Sequence, residues 1–244
     1  MPSSRSRRSE LERLGAVPFA HRGLHGGALV ENSGGAIAAA VDRGYGVELD
    51  VQLSRDGEAM VFHDHELGRL TAGQGPVAAR TAAELQAVPL NLCNEAMPRL
   101  GEALSIVHAR APLLIEVKSP DRQVARLCAA VARAVSGYGG PFAVMSFNPE
   151  VGAWFARRAP EVLRGLVVTE EGKRGLKGRI ERPLALWRAR ADFLAYDIRD
   201  LPSRFAGRRR SRGLPVYTWT VRSEADRARA SAYADQIIFE APPG

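Results

Sequence analysis

Nine short runs rich in β-branched, aromatic and other apolar residues recur along this chain, and most are separated by stretches with helical amphipathic spacing. The runs are residues 17–22 (VPFAHR), 46–53 (GVELDVQL), 59–64 (AMVFHD), 112–118 (PLLIEVK), 142–147 (FAVMSF), 164–168 (RGLVV), 193–198 (FLAYDI), 215–221 (PVYTWTV) and 236–240 (QIIFE). Helical stretches include 33–44, 121–135 and 150–160. The second and third runs are joined by SRDGE, whose Asp56-Gly57 pair is a hairpin turn signal, so the third run folds back antiparallel. Discounting it leaves about eight strands with crossover helices, the α/β pattern of a (β/α)8 TIM barrel. A doubly wound open sheet fits the same element order, because strand order is not written in one sequence. Residues 65–111 are too long and too rich in turns for a simple βα connection, and are expected to form a small insertion subdomain or lid after the hairpin.

At 244 residues the chain can bury a sizeable core as one domain, 1–244, with residues 1–16 as a basic N-terminal extension. No apolar run approaches the roughly 18 residues that span a bilayer, which excludes an integral membrane protein. The N-terminus lacks the apolar segment of a secretory signal, so a cytoplasmic location is expected. Cys93 and Cys128 are too few for a disulfide framework and lack metal-ligand spacing. The net charge of +7 raises the question of nucleic acid or an anionic surface. Its Arg residues are scattered, however, with dense runs only at 5–8 and 207–212, which are expected to be a solvated tail and a solvated loop. No nucleic-acid partner is expected, and the sequence carries no signal for oligomeric state.

On residues 46–53 the strand alternation places Glu48, Asp50 and Gln52 on one face, opposite Val47, Leu49, Val51 and Leu53. In a barrel, chemistry collects at the C-terminal strand ends. There the chain offers His21, Arg22, Glu48, Asp50, Glu116, Lys118, Ser146, Asn148, Asp197 and Trp219. Glu48, Asp50 and Glu116 come from strands that become neighbours once the hairpin arm is discounted. Three like charges buried together need compensation, and a divalent cation supplies it; all-oxygen ligation selects Mg²⁺ or Ca²⁺. His21 and His63 flank this cluster as a candidate acid and base. Arg22 offers a forked donor suited to phosphate, and Lys118 a second positive charge.

In order along the chain, AHRG (20–23), EN (31–32), VELDVQLSRDGEAMVFHD (47–64), LGRLT (67–71), LLIEVK (113–118), MSFNP (145–149) and VYTWTV (216–221) resemble the glycerophosphodiester phosphodiesterase family from about residue 17 to the C-terminus. The resemblance implies a barrel with an insertion after the hairpin, a divalent cation, and hydrolysis of a small-molecule glycerophosphodiester to glycerol 3-phosphate and an alcohol. It implies a catalytic pair at His21 and His63, metal ligands at Glu48, Asp50 and Glu116, and phosphate contacts at Arg22 and Lys118. Glu31 and Asn32 match the family's active-site polar lining, and Trp219 its pocket-wall aromatic. Ser33 stands where the family has Thr and can cap a helix as well. Glu240 stands where many relatives carry other residues, which bears on the alcohol side of the pocket.

The attacking oxygen can be water or a glycerol hydroxyl that first forms a cyclic phosphate. Two other readings stay open. A lysophospholipase D or cyclising phospholipase would show an apolar rim on the insertion, where 85–97 (LQAVPLNLCNEAM) is apolar, and would make peripheral lipid contact. A non-catalytic anion-binding barrel would have lost a His or a carboxylate, and none is missing.

Overall fold

The computed structural model describes residues 4–121 and 123–240. The chain opens with α1 (Ser4–Leu14), then runs through β1 (Phe19–Ala20), α2 (Gly34–Asp42), β2 (Gly46–Leu53), β3 (Ala59–Val61), α3 (Ala82–Gln86) and α4 (Leu100–Val107). From there strand and helix alternate: β4 (Leu113–Val117), α5 (Ala125–Ala134), β5 (Phe142–Ser146), α6 (Pro149–Arg158), β6 (Leu163–Val168), α7 (Leu176–Ala189), β7 (Phe193–Asp197), α8 (Arg204–Arg210), β8 (Val216–Val221), α9 (Glu224–Tyr233) and β9 (Gln236–Phe239).

Eight strands form a closed parallel ring in the order β1, β2, β4, β5, β6, β7, β8, β9, because β1 pairs with both β2 and β9. This is the expected TIM barrel, and closure rules out the open sheet. β3 lies outside the ring, antiparallel to β2 with Gln52 opposite Met60. Its turn closes through Ser54 and Glu58, with Gly57 at φ 91°, a left-handed conformation that favours glycine.

The alternation on each strand sorts two cores. Outward residues such as Leu49, Val51, Ile115 and Val144 pack under the helices, while Phe19, Leu114, Ala143, Met145, Phe193, Tyr217 and Ile238 fill the barrel interior. Gly46 begins the inward row of β2, where a Cβ would come within 2.7 Å of the Phe19 ring. Above it on the same face stand Glu48, Asp50 and Gln52, so the apolar interior gives way to polar groups toward the C-terminal strand ends. Local capping follows the sequence: Ser33 accepts the Ala36 N–H at 3.1 Å, and Asn148 caps α6 ahead of Pro149.

The basic run at 5–8 is not a free tail. It lies in α1, where Leu14 is fully buried in the barrel-interior cluster, and Arg7 forks onto Asp192 while donating to the carbonyls of Pro160 and Val162. Nor are residues 207–212 a solvated loop. They finish α8 and the turn after it, and Arg210 donates to Asp235 and to the carbonyls of Ala232 and Ala234. In both places an Arg satisfies carbonyls at the ends of neighbouring elements, which composition alone does not reveal.

The apolar residues of the insertion do not make a rim. Leu85, Leu90 and Met97 are buried with Leu67, Val77, Met60 and Phe62 in a core of their own, and Leu92 is left outward. The buried face of α4, with Leu100, Ala103, Leu104 and Val107, packs instead into the main core as a barrel helix. No helix among the described residues is long and apolar enough to cross a membrane.

Candidate active site

A cavity of about 580 Å³ opens at the C-terminal mouth, lined by His21, Arg22, Glu48, His63, Glu116, Lys118 and Trp219 among others. The register sets Asp50 directly opposite Glu116, and Glu48 lies one inward position earlier on β2. Candidate ligand oxygens of Glu48, Asp50 and Glu116 all fall within 4.8 Å of one another. Burial, with Asp50 and Glu116 close by, pushes the Glu48 carboxyl well above the usual range, and Glu116 is raised by burial and Asp50 in the same way. Burial would raise Asp50 as well, but Lys118 and Arg22 outweigh it and hold Asp50 down to about 2. Lys118 Nζ lies 3.0 Å from Asp50 and 2.7 Å from Glu116, and these carboxylates raise its pKa against the effect of burial.

A bound cation fits this donor set. Glu48 Oε1 is buried with no hydrogen-bond partner among the described residues, and the three donors are all carboxylate oxygens. A second grouping, His21, His25 and Glu240, brings ligand atoms equally close. There, however, His21 Nδ1 and Glu240 Oε1 already share a hydrogen bond at 2.7 Å, and Arg222 holds both oxygens of Glu240.

Each histidine is fixed by its own carboxylate. His63 Nδ1 lies 2.7 Å from Asp64 Oδ1, matching the His21–Glu240 pair. With Nδ1 donating to the carboxylate, Nε2 of each ring is left as acceptor. Burial lowers the pKa of both imidazoles, partly offset by these bonds and by Asp50. His21 Nε2 stands 3.9 Å from Glu48 Oε2, beside the carboxylate cluster.

Glu31 and Asn32 are not among the side chains lining the cavity; Glu31 holds Arg22, which is, and Asn32 holds Asp50 of the acidic cluster beneath it. Asn32, 1% exposed, donates its amide to Asp50 Oδ2 at 3.0 Å, and its carbonyl oxygen accepts the Asp50 N–H at 3.3 Å. Glu31 accepts from Arg22 Nη1 at 2.7 Å and from Arg69. Arg69 also grips Asp64, so alternating charges run from Arg22 through Glu31, Arg69 and Asp64 to His63. Trp219 donates its indole N–H to the Ala195 carbonyl and meets Phe147 edge-on at 5.5 Å, forming an aromatic wall. Ser146, Asn148 and Asp197 are occupied in local bonding, to the Val117 carbonyl, to the start of α6 and to Arg199 respectively.

Gln52 takes a role the alternation alone does not assign. Its amide donates to the carbonyls of Phe62 and Asp64, and its oxygen lies 3.1 Å from His65 Nδ1. It therefore pins the segment that carries His63. Glu240 is placed by ring closure: His21 N–H bonds the Phe239 carbonyl across the closed ring, which sets Glu240 beside His21. What sequence reasoning missed is that Asp64 and Glu240 hold the two imidazoles. For Glu240 the available signal was ring closure itself, since the residues just beyond β1 and β9 must become neighbours.

The fold and this mouth define a (β/α)8 barrel that gathers two carboxylate-held imidazoles, a cluster of three carboxylates and two cationic side chains around one cavity. The family model for the glycerophosphoryl diester phosphodiesterase family matches residues 21–241, and the chain belongs to that family. YhdW of Bacillus subtilis is 30% identical over 236 residues, covering 92% of this chain and 94% of the relative. The glycerophosphodiester phosphodiesterase of Caldanaerobacter subterraneus subsp. tengcongensis is 27% identical over 240 residues, covering 92% and 93%. Among solved structures, an Oleispira antarctica phosphodiesterase in complex with the product sn-glycerol-3-phosphate superposes with a TM-score of 0.81 at 24% identity, over 92% of this chain and 93% of that one.

Proposed function

We propose that this enzyme hydrolyses glycerophosphodiesters to glycerol 3-phosphate and an alcohol, with a divalent cation at Glu48, Asp50 and Glu116 and with His21 and His63 as the proton-transfer pair. The observation that carries the reading is the pair of imidazoles, each with Nδ1 held at 2.7 Å by a carboxylate, flanking the buried acidic cluster. All-oxygen donors favour Mg²⁺ or Ca²⁺. When bound, the cation supplies Lewis-acid stabilisation of charge building on the phosphate.

The chain's own groups do the rest. Arg22 and Lys118 face the cavity as fixed positive charges for the non-bridging phosphate oxygens, already oriented by Glu31, Asp50 and Glu116. One imidazole takes a proton at Nε2 from the attacking oxygen and the other returns one to the departing alcohol oxygen. Glu240 and Asp64 fix each tautomer and favour the imidazolium that forms in turn. Trp219 and Phe147 give the cavity an apolar wall against the non-phosphate part of the substrate. Burial of the insertion's apolar residues removes the rim that a lysophospholipase D reading calls for.

The test is a metal-supplemented assay over a panel of glycerophosphodiesters and lysophospholipids, measuring glycerol 3-phosphate and alcohol separately. Chelation should abolish activity, and His21→Ala or His63→Ala should each cost on the order of 10² to 10⁴ in rate. Full activity of His63→Ala in excess chelator would sink the proposal.

A further inference from the structure

We propose that the outer face of α7, with the arginines of α8 beside it, docks this protein on an anionic lipid bilayer. The reading does not depend on the catalytic assignment. Large apolar side chains are exposed at few places among the described residues, and four of them lie on α7: Leu176 (72%), Ile180 (54%), Leu184 (58%) and Trp187 (75%). At about 100° per residue these four fall within an arc of about 80°. The residues that α7 buries, Gly178, Arg182 and Ala189, centre about 180° away. The helix is thus apolar on two sides: Ala185, Leu186 and Ala189 pack on the main core beside Arg182, which bonds the Lys173 carbonyl, while the outward side is a second apolar stripe with no partner among the described residues. A contiguous stripe of this kind on a helix far too polar to span a membrane fits the interfacial zone of a bilayer.

Charge complementarity selects the surface. On one flank, the cleft between α7 and α8 is lined by Arg179, Arg204, Arg208 and Arg212, none of which has a side-chain hydrogen-bond or ion-pair partner among the described residues. On the other flank the acidic groups are neutralised, Glu181 by Lys173 and Lys177 at 3.6 Å and Glu150 by Arg188 at 2.7 Å. Free arginines beside an apolar stripe suit anionic headgroups over an acyl boundary. The surface is also continuous with the active-site mouth. Arg199 lines both the arginine cleft and the catalytic cavity, and Phe147 lines both the catalytic cavity and the groove between α6 and α7 that holds Leu184 and Trp187. Docking there leaves the mouth open at the edge of the contact.

The full chain would be sedimented with vesicles of phosphatidylglycerol and phosphatidylcholine in equal parts, and with pure phosphatidylcholine, at low and at moderate salt. Binding is expected to the anionic vesicles only. Leu184→Ser with Trp187→Ser should weaken it about tenfold or more, and Arg204→Glu with Arg208→Glu should weaken it and remove most of its salt dependence. Both variants should keep wild-type hydrolysis of a water-soluble glycerophosphodiester, which shows that they fold. Tryptophan emission should shift to the blue on adding vesicles, and Trp187→Phe should bind while losing that shift. Three outcomes overturn the proposal: no sedimentation of the wild type, equal sedimentation of the Leu184/Trp187 variant, or a wild-type dimer in light scattering that this variant converts to monomer. The second makes the face a general polyanion patch that should also retain duplex DNA, and the third an interface between copies of this chain.

Discussion

Replacing Glu240 by Gln isolates the contribution of one oriented carboxylate. Its Oε1 lies 2.7 Å from His21 Nδ1, its side chain is 20% exposed, and Arg222 holds the same carboxylate at 2.6 and 2.9 Å. A hydrogen bond to a charged group contributes about 1.5–3 kcal/mol when neither partner is fully solvated. Gln keeps a neutral bond of about 0.5–1.5 kcal/mol, so if the charged one strengthens as His21 gains its proton, the loss of about 1–1.5 kcal/mol should lower kcat by about 5- to 12-fold. Arg222 loses its partner too, but its side chain is mostly exposed, so protein stability should change little. The assay is steady-state hydrolysis of a glycerophosphodiester across pH at saturating metal. Burial already lowers the His21 pKa, and Gln keeps an acceptor oxygen but loses the negative charge that opposes that shift, so the midpoint moves further down. If His21 acts as the acid, the alkaline limb of kcat/KM moves to lower pH; if it acts as the base, the acid limb does. A kcat within twofold of wild type with both limbs unmoved refutes the role given to Glu240.

Gln52→Leu should remove the donors to the Phe62 and Asp64 carbonyls from a side chain only 6% exposed. That costs about 1–3 kcal/mol, seen as a Tm loss of about 2–4 °C per kcal/mol, with kcat falling because His63 is no longer pinned. Gly165→Ala would set a methyl 2.4 Å from the Phe193 ring and 2.9 Å from Met145 inside the barrel, so urea unfolding should show a loss of about 1–3 kcal/mol. Asp64 is held down to about 2 because its bonds to Arg69 and His63 outweigh the effect of burial. Its stabilising contribution is therefore fully present above the unfolded value near 4 and lost as pH falls through about 2. The stability gap between wild type and Asp64→Asn should be flat from about pH 7 to 5 and narrow below about pH 4; a gap that widens on acidification contradicts this account.

The ring strands were legible because alternation and apolar runs are local signals, and β2 spans Gly46–Leu53 as its pattern predicts. β1 is shorter than its run, two residues instead of six; at its far end Arg22, at φ 58°, turns the chain out of the ladder toward the mouth. The acidic cluster was legible for the same reason: two carboxylates share a strand face and the third is one ring position away. The groups that hold the histidines were not. Glu240 reaches His21 across 219 residues of chain, and Asp64 follows His63 at a spacing that would point it away if the strand continued. The apolar content of residues 85–97 was visible, but whether it faces solvent depends on packing partners as distant as Met60. The stripe on α7 was missed because an amphipathic pattern does not say which side is inward.

The grip of Arg7 on Asp192, 185 residues apart, has a meaning in time as well as in space. Made before its partners, α1 has no seat until β6 and the segment ahead of β7 exist, and β1 cannot close the ring until Ile238 arrives to pair with Phe19. Contacts of such long sequence separation form late and slowly. The helix α1 therefore acts as a latch, fastened only after strands far along the barrel have been made.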